Sequence, residues 1–461
     1  MTASSAPVSL CFDRGTIVLL GDAEEAISDL PGVLWDPRSQ CYRAPAYRYG
    51  QIAATAAGRG LVLRDEVSQP RSPAPFATPD LRPYQLAAIA SWSAAGRRGV
   101  VVLPTGAGKT RVALAVMAEL KLATLCLVPT RVLLHQWHEQ ISAIYAGAVG
   151  ILGDGQRSFA PVTVATFESA LRAASWLGNR FELLIADEVH HFGHGSRDEA
   201  LEMCVARARL GLTATPPDGA AAARLTDLVG PTVVQVAVSE LTGTFLAELE
   251  LCVIRVALDA DERLRWDADH ARFRAFYREF SRHAPGARFD QFVAAAMKTD
   301  EGRAAVAAWR RLRRLVAWTR GKERALTQLL RKHRDARILI FTADNDTAYD
   351  IARKLLIMPI TCDIRKKERS SALEAFAVGK LNALVSARVL NEGIDVPDAD
   401  VGIVVGGTQG AREHVQRVGR LLRPRPGKRA TVYELVTVAT HEARQSAQRG
   451  RGLVHASDAS L

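Results

Sequence analysis

No apolar run in this chain approaches the ~18–20 residues of a membrane span, and its N-terminus, MTASSAPVSLCFDRG, has no basic-then-apolar leader pattern. A soluble, cytoplasmic protein with no membrane association is the expectation. Cysteine is sparse: six residues, at 11, 41, 126, 204, 252 and 362, with no paired spacing. That pattern suggests neither a disulfide scaffold nor a zinc or iron–sulfur site, and it fits reduced, mostly buried thiols. Acidic residues are outnumbered, 49 Asp and Glu against 60 Lys and Arg, for a formal net charge of +11. An excess of this size favours polyanionic partners, nucleic acid before an anionic membrane surface.

What remains is ordinary globular composition, 48% hydrophobic and 24% charged over 461 residues, enough for two or three domains. Residues 1–68 read as a small α+β unit, with VSLCF, TIVLLG and GLVLRDE as strands and YRYGQIAATAAG as a short helix. QPRSPAPFATPD, residues 69–80, carries four prolines and reads as a semi-extended linker. From 81 to 240, near-continuous apolar runs (GVVVLP, TLCLVP, VTVAT, ELLIADE, RLGLTAT) alternate with helical patterns, which predicts a parallel sheet covered on both faces. A second such series (ARILIFTA, NALVSA, ADVGIVVGG, ATVYELV) places another α/β domain within 241–440. Residues 260–320 read as Arg-rich amphipathic helices inserted into it, and the polar tail 441–461 as flexible.

LPTGAGKT, 103–110, follows an apolar strand and opens a helix. In such a loop, Pro104, Thr105, Gly106, Ala107, Gly108, Lys109 and Thr110 curl so that backbone N–H groups face phosphate oxygens at a helix N-terminus. Lys109 can reach the β and γ phosphates, and the Thr110 hydroxyl can ligate Mg²⁺. FELLIADEVHH, 181–191, ends another strand in two adjacent carboxylates. Asp187 would hold Mg²⁺ through water, and Glu188 would orient and deprotonate an attacking water. His190, His191 and His194 lack the further ligands of a metal site; His190 is expected to link the hydrolytic site to its neighbouring segment.

LRPYQ, LPTGAGKT, VPTRVL, DEVH, GLTAT, VLNEGIDVPDAD and QRVGRLLRP, read in order, resemble the motif set of helicase superfamily 2. The chain most resembles the XPB family within it, especially its short prokaryotic members, over essentially residues 8–440. The resemblance implies two RecA-like parallel-sheet motor domains, a helical thumb-like insertion and an N-terminal damage-recognition domain. It also implies ATP with Mg²⁺ and DNA as duplex, fork or bubble, acted on with 3′→5′ polarity in repair. A nuclease partner is implied by the archaeal relatives.

By the same resemblance, Arg82 and Gln85 read the adenine beside Tyr84. Thr213, Ala214 and Thr215 couple hydrolysis to DNA, and Glu392, Gly393 and Asp395 line the second domain's face of the cleft. Gln416, Arg420 and Arg423 are implied to complete the ATP site, the arginines facing Lys109 and Glu188. These three fall at i, i+4 and i+7 on one helix face, leaving Arg417 for a structural or DNA-side role.

Thr130, Arg131, Thr166, Thr342 and Ser386 follow apolar strands and are candidate DNA-backbone contacts, with a helix N-cap as the alternative for each hydroxyl. Arg310, Arg311, Arg313 and Arg314 are either thumb contacts to nucleic acid or a solvated helix face. Trp35, Tyr42, Arg43, Tyr47 and Arg48 either meet distorted DNA or form a small core. One departure stands out. The family's Arg-Glu-Asp trio after Thr-Ala-Thr is not intact, since in PPDGAAAARL Asp218 is the only acid and Arg224 lies well downstream of it. The expectation is translocation or duplex distortion with weakened processive unwinding. Alternatives are an RNA-directed ATPase of the same superfamily and an ATP-gated DNA-binding module without motor activity.

Overall fold

The computed structural model describes residues 7–21, 24–195, 197–241, 244–245, 248–361, 363–387, 399–406, 429–443, 446 and 456–459. It forms two units, Met1–Ala237 and Val238–Leu461. No helix among the described residues is long and apolar enough to cross a membrane. The five described cysteines are free.

The first unit begins with β1 (Val8–Asp13), β2 (Thr16–Leu20), α1 (Glu24–Ser28), β3 (Leu34–Asp36), β4 (Cys41–Pro45), α2 (Tyr49–Gly58) and β5 (Leu63–Asp65), a sheet ordered β3-β4-β2-β1-β5. Alternation in β1 and β2 sends Leu10, Ile17 and Leu19 inward against Ile52 and Ala56 of α2. The proline-rich segment after it does not hang free. Gln69 N–H donates to Asn179 O, Ala77 N–H to Ile144 O and Ala74 N–H to the Tyr145 hydroxyl, while Phe76 packs on the Tyr145 ring at 4.6 Å.

The DNA-facing candidates in this small domain have mostly structural partners. Arg43 pairs with Asp13 at 2.8 Å. Tyr47 is buried; its hydroxyl donates to Asp227 (2.8 Å), which also pairs with Arg48 (2.8 Å) and Arg224 (3.2 Å). Trp35, edge-on to Tyr42 at 5.0 Å, is 46% exposed and stays on the surface. Asp227 therefore clamps the small domain onto the neighbouring sheet. Asp227→Ala is expected to cost about 1–2 kcal/mol and to speed proteolysis within 69–80; unchanged urea unfolding and cleavage would remove the clamp.

That neighbouring sheet is built from α3 (Pro83–Ala94), β6 (Arg98–Val102), α4 (Lys109–Leu120), β7 (Thr124–Val128), α5 (Arg131–Ser142), β8 (Val149–Gly153), β9 (Gln156–Ser158), β10 (Val162–Thr166), α6 (Phe167–Leu177), β11 (Leu183–Asp187), α7 (Glu199–Glu202), β12 (Ala208–Thr213), α8 (Gly219–Leu228) and β13 (Thr232–Gln235). Its order is β13-β6-β12-β11-β7-β10-β8-β9, parallel throughout except the β8–β9 hairpin. The apolar runs are buried on both faces, as parallel strands under helices require.

The second unit runs α9 (Val238–Leu241), β14 (Glu248–Val256), α10 (Ala260–His283), α11 (Phe289–Ala296), α12 (Asp300–Ala317), α13 (Arg320–Lys332), β15 (Ile338–Phe341), α14 (Asn345–Leu355), β16 (Met358–Ile360), α15 (Lys366–Ala377), β17 (Ala383–Ser386), β18 (Val401–Val404), β19 (Arg429–Thr437) and β20 (Ala456–Ala459). Its sheet, β16-β17-β15-β18-β19-β14-β20, is parallel.

Helices α10 to α12 form the inserted module around Phe292, ringed by Phe273, Phe276, Tyr277 and Phe280. Three of the four arginines clustered at 310–314 are taken up within the chain. Arg311 grips Asp269 at 2.6 and 2.9 Å, Arg314 pairs with Asp346, and Arg313 stacks over Trp309, leaving Arg310 exposed.

Two parts of the 441–461 stretch contact the second unit. Glu442 is buried against Lys322, whose ammonium needs a counter-charge, and Ala456–Ala459 adds an edge strand to β14.

Candidate active site

The phosphate loop connects β6 to α4, with Gly106 and Gly108 in the left-handed region at φ 85° and 79°. A Cβ at Gly108 would also lie 2.5 Å from Gln85 Nε2, so the position excludes larger residues twice over. Lys109 opens the helix, its Nζ 3.4 Å from Leu103 O within the loop, and Thr110 follows half-buried.

The residues expected at the adenine are tied to this loop. Gln85 is buried; its Oε1 accepts the Arg82 N–H (2.9 Å) and its Nε2 donates to Ala107 O (2.8 Å). The Tyr84 hydroxyl donates to the same carbonyl at 2.7 Å. Each end of the Gln85 amide thus makes one of the two hydrogen bonds it can make, which holds the side chain against the loop.

Asp187 ends β11, with β12 between it and β6. It is 6% exposed. Its Oδ1 accepts the Glu188 N–H and its Oδ2 the Trp137 indole N–H, each at 2.9 Å. Burial pushes the Asp187 carboxyl up, while Lys109, the Trp137 N–H and the Glu188 N–H oppose it. Trp137 was not among the residues singled out from sequence, because a tryptophan on an amphipathic helix reads as core.

Glu188 sits at φ 48°, a left-handed conformation uncommon outside glycine that turns the chain sharply at the strand end. His190 Nδ1 lies 3.4 Å from Glu188 Oε2 and 3.0 Å from Thr213 Oγ1. Thr213 donates its hydroxyl proton to Thr215 O at 2.8 Å. Nδ1 therefore faces acceptors and carries the proton. Glu188, His190, Thr213 and Thr215 form one connected string, with Ala214 buried between the threonines. Among the described residues no group of three or more His, Cys, Asp or Glu is placed to hold a metal ion.

A second feature lies at the ends of β7, β8 and β10. A cleft of about 560 Å³ is lined by Arg131, Gly153, Asp154, Arg157, Thr166 and Trp176, among others. Thr130 and Thr166 cap α5 and α6, accepting Leu133 N–H and Ser169 N–H at 3.3 Å. Arg131 is exposed and pairs with Asp154 at 3.3 Å.

In the second unit the two candidate hydroxyls lie inside the fold. Thr342 and Ser386 are fully buried; they donate to Asp344 O and Ile360 O, and Asp344 is the residue that caps α14. Neither side chain reaches solvent. Glu392, Gly393, Asp395, Gln416, Arg417, Arg420 and Arg423 lie outside the described residues.

A buried Asp at one strand end, a glycine loop at another and a parallel sheet in each unit define a superfamily 2 helicase-type ATPase. Residues 78–218 match "Type III restriction enzyme, res subunit", 321–425 "Helicase conserved C-terminal domain", and 10–67 "Xeroderma pigmentosum group B helicase damage recognition domain". The helicase domain of Pyrococcus furiosus Hef has the same fold, with a TM-score of 0.54 at 17% identity over 80% of this chain and 97% of that one. The DNA 3′-5′ translocase XPB2 of Sulfurisphaera tokodaii is 35% identical over 91% of this chain and 96% of its own length. The DNA 3′-5′ helicase XPB of Mycobacterium tuberculosis is 30% identical over 81% of this chain, which spans 63% of that longer protein. The chain belongs to the XPB family of superfamily 2 helicases, with two RecA-like domains.

Proposed function

We propose that this protein is a DNA-dependent ATPase, a 3′→5′ helicase or double-strand DNA translocase acting in DNA repair in the cytoplasm. The observation that carries the reading is the assembled pair of phosphate loop and Asp187–Glu188 in a chain that also bears the damage-recognition domain. Lys109 and the loop N–H groups would hold the β and γ phosphates. A divalent cation fits the donor set, because Asp187 is a buried carboxylate held by three opposing influences and Thr110 adds a hydroxyl. Mg²⁺ bound by Thr110 and Asp187 would offset phosphate charge. Glu188 accepts the proton of the attacking water, and its neighbour His190 passes the state of the site to Thr213 and Thr215. Arg420 and Arg423 would supply positive charge for the γ-phosphoryl group, an arginine contribution worth roughly 10³–10⁵ in rate in other NTPases, and Gln416 would add a neutral hydrogen-bonding amide. A nuclease partner belongs to the same reading by analogy alone.

Thr130, Arg131 and Thr166 are proposed to hold DNA through exposed charge and helix-start N–H groups. Strand displacement is expected to be weak relative to ATP turnover. Arg224, the nearest basic residue after the Thr-Ala-Thr segment, is committed to Glu202, Asp198 and Asp227. The test compares ATP hydrolysis and strand displacement on bubble, fork and plain duplex DNA, with RNA as a further arm. DNA-stimulated turnover with little displacement is expected. Stimulation by RNA alone would reassign the substrate, and efficient displacement abolished by Asp218→Ala would overturn the weakened-unwinding reading.

A further inference from the structure

Two large indoles are buried in the first unit, and they use their N–H groups differently. Trp92 donates to a backbone carbonyl, Arg209 O, at 2.9 Å, an ordinary solution for a core tryptophan. Trp137 donates to Asp187 Oδ2, a carboxylate of the reacting site, also at 2.9 Å. Both partners of that bond are buried, Trp137 at 2% and Asp187 at 6% exposure. Because the Glu188 N–H holds the other oxygen, the carboxylate plane is fixed from two sides. Indole N–H is a donor only, so this bond favours a carboxylate over a neutral acid.

We propose that Trp137 is a positioning residue for the metal: its N–H sets the orientation of the Asp187 carboxylate toward the cation bound with nucleotide. The proposal rests on the ATP-site reading above. Trp137 lies on α5, the helix that starts at Thr130 and Arg131, so one hydrogen bond joins the body of the DNA-side helix to the metal-side carboxylate. The other two groups that favour the ionised carboxylate are Lys109 of the phosphate loop and the Glu188 N–H at the end of β11; Trp137 is the contribution of a separate element.

The experiment measures equilibrium binding of a non-hydrolysable ATP analogue while Mg²⁺ is titrated, in the full chain. Trp137→Phe should leave Mg²⁺-free nucleotide affinity unchanged. It should raise the Mg²⁺ concentration needed for half-maximal tightening by roughly 10–100-fold, the usual cost of losing a partner that orients a metal ligand. Trp92→Phe removes an indole of the same burial whose partner is a carbonyl, and should leave the Mg²⁺ response alone. If Trp137→Phe does not fold, benzothienylalanine at 137 keeps the bicyclic shape and removes only the N–H. An unchanged Mg²⁺ response with either replacement, or an equal shift in Trp92→Phe, overturns the proposal. Wild-type protein that binds nucleotide without any Mg²⁺ response would overturn the ATP-site reading, and this inference with it.

Discussion

Glu188→Gln is expected to lower ATP turnover by about 10²–10⁴-fold, the range for removing a positioned general base, while nucleotide binding persists. The substitution keeps the size and the hydrogen-bonding reach of the side chain but removes its capacity to take a proton. Nothing that holds nucleotide changes: the glycine loop, Lys109 and Asp187 are on β6–α4 and the end of β11. Glu188 instead projects from a left-handed residue just beyond that strand, beside His190 at 3.4 Å. Lys109→Ala should differ in kind by weakening nucleotide binding itself. Single-turnover hydrolysis beside direct binding of labelled ATP separates the two. Wild-type turnover in Glu188→Gln would remove Glu188 as base and favour a module in which ATP only gates DNA affinity.

The parts of this site that could be read from sequence are those whose chemistry demands neighbours along the chain. A phosphate loop needs its glycines, lysine and hydroxyl within a few positions of a strand and a helix start, and Asp187–Glu188 needs only a strand end. Trp137 could not be read that way, since it meets Asp187 from 50 positions away and its pattern is that of a core residue. The same holds at the small domain, where Tyr47 and Arg48 look free to meet DNA until Asp227 is placed beside them. Strand hydroxyls divide by environment. Thr130 and Thr166 cap helices beside an open cleft, whereas Thr342 and Ser386, at similar strand ends, are fully buried and donate to backbone carbonyls. Sequence shows the strand end and not which way its hydroxyl faces.

Glu442→Gln is expected to destabilise the second unit by about 3–5 kcal/mol, because removing one partner of a buried ion pair strands the other charge. Lys322 is fully buried, and its ammonium donates to Val316 O and to Glu442 Oε1, both at 2.7 Å. The second Glu442 oxygen accepts the Thr437 N–H at 3.0 Å, so the carboxylate also secures the end of β19. Lys322→Met alone leaves Glu442 as the stranded charge and should cost a similar amount. Lys322→Met combined with Glu442→Leu should recover most of the loss, since an apolar pair of similar volume carries no desolvation penalty. Urea unfolding of wild type, Lys322→Met, Glu442→Leu and their combination gives the coupling directly, and additive single losses would show that the pair is not coupled. Glu442 itself falls in a stretch, 441–461, whose polar composition reads as a loose tail. Truncation after Thr440 should therefore behave like Glu442→Gln or worse, because it removes both the counter-charge of Lys322 and the edge strand on β14.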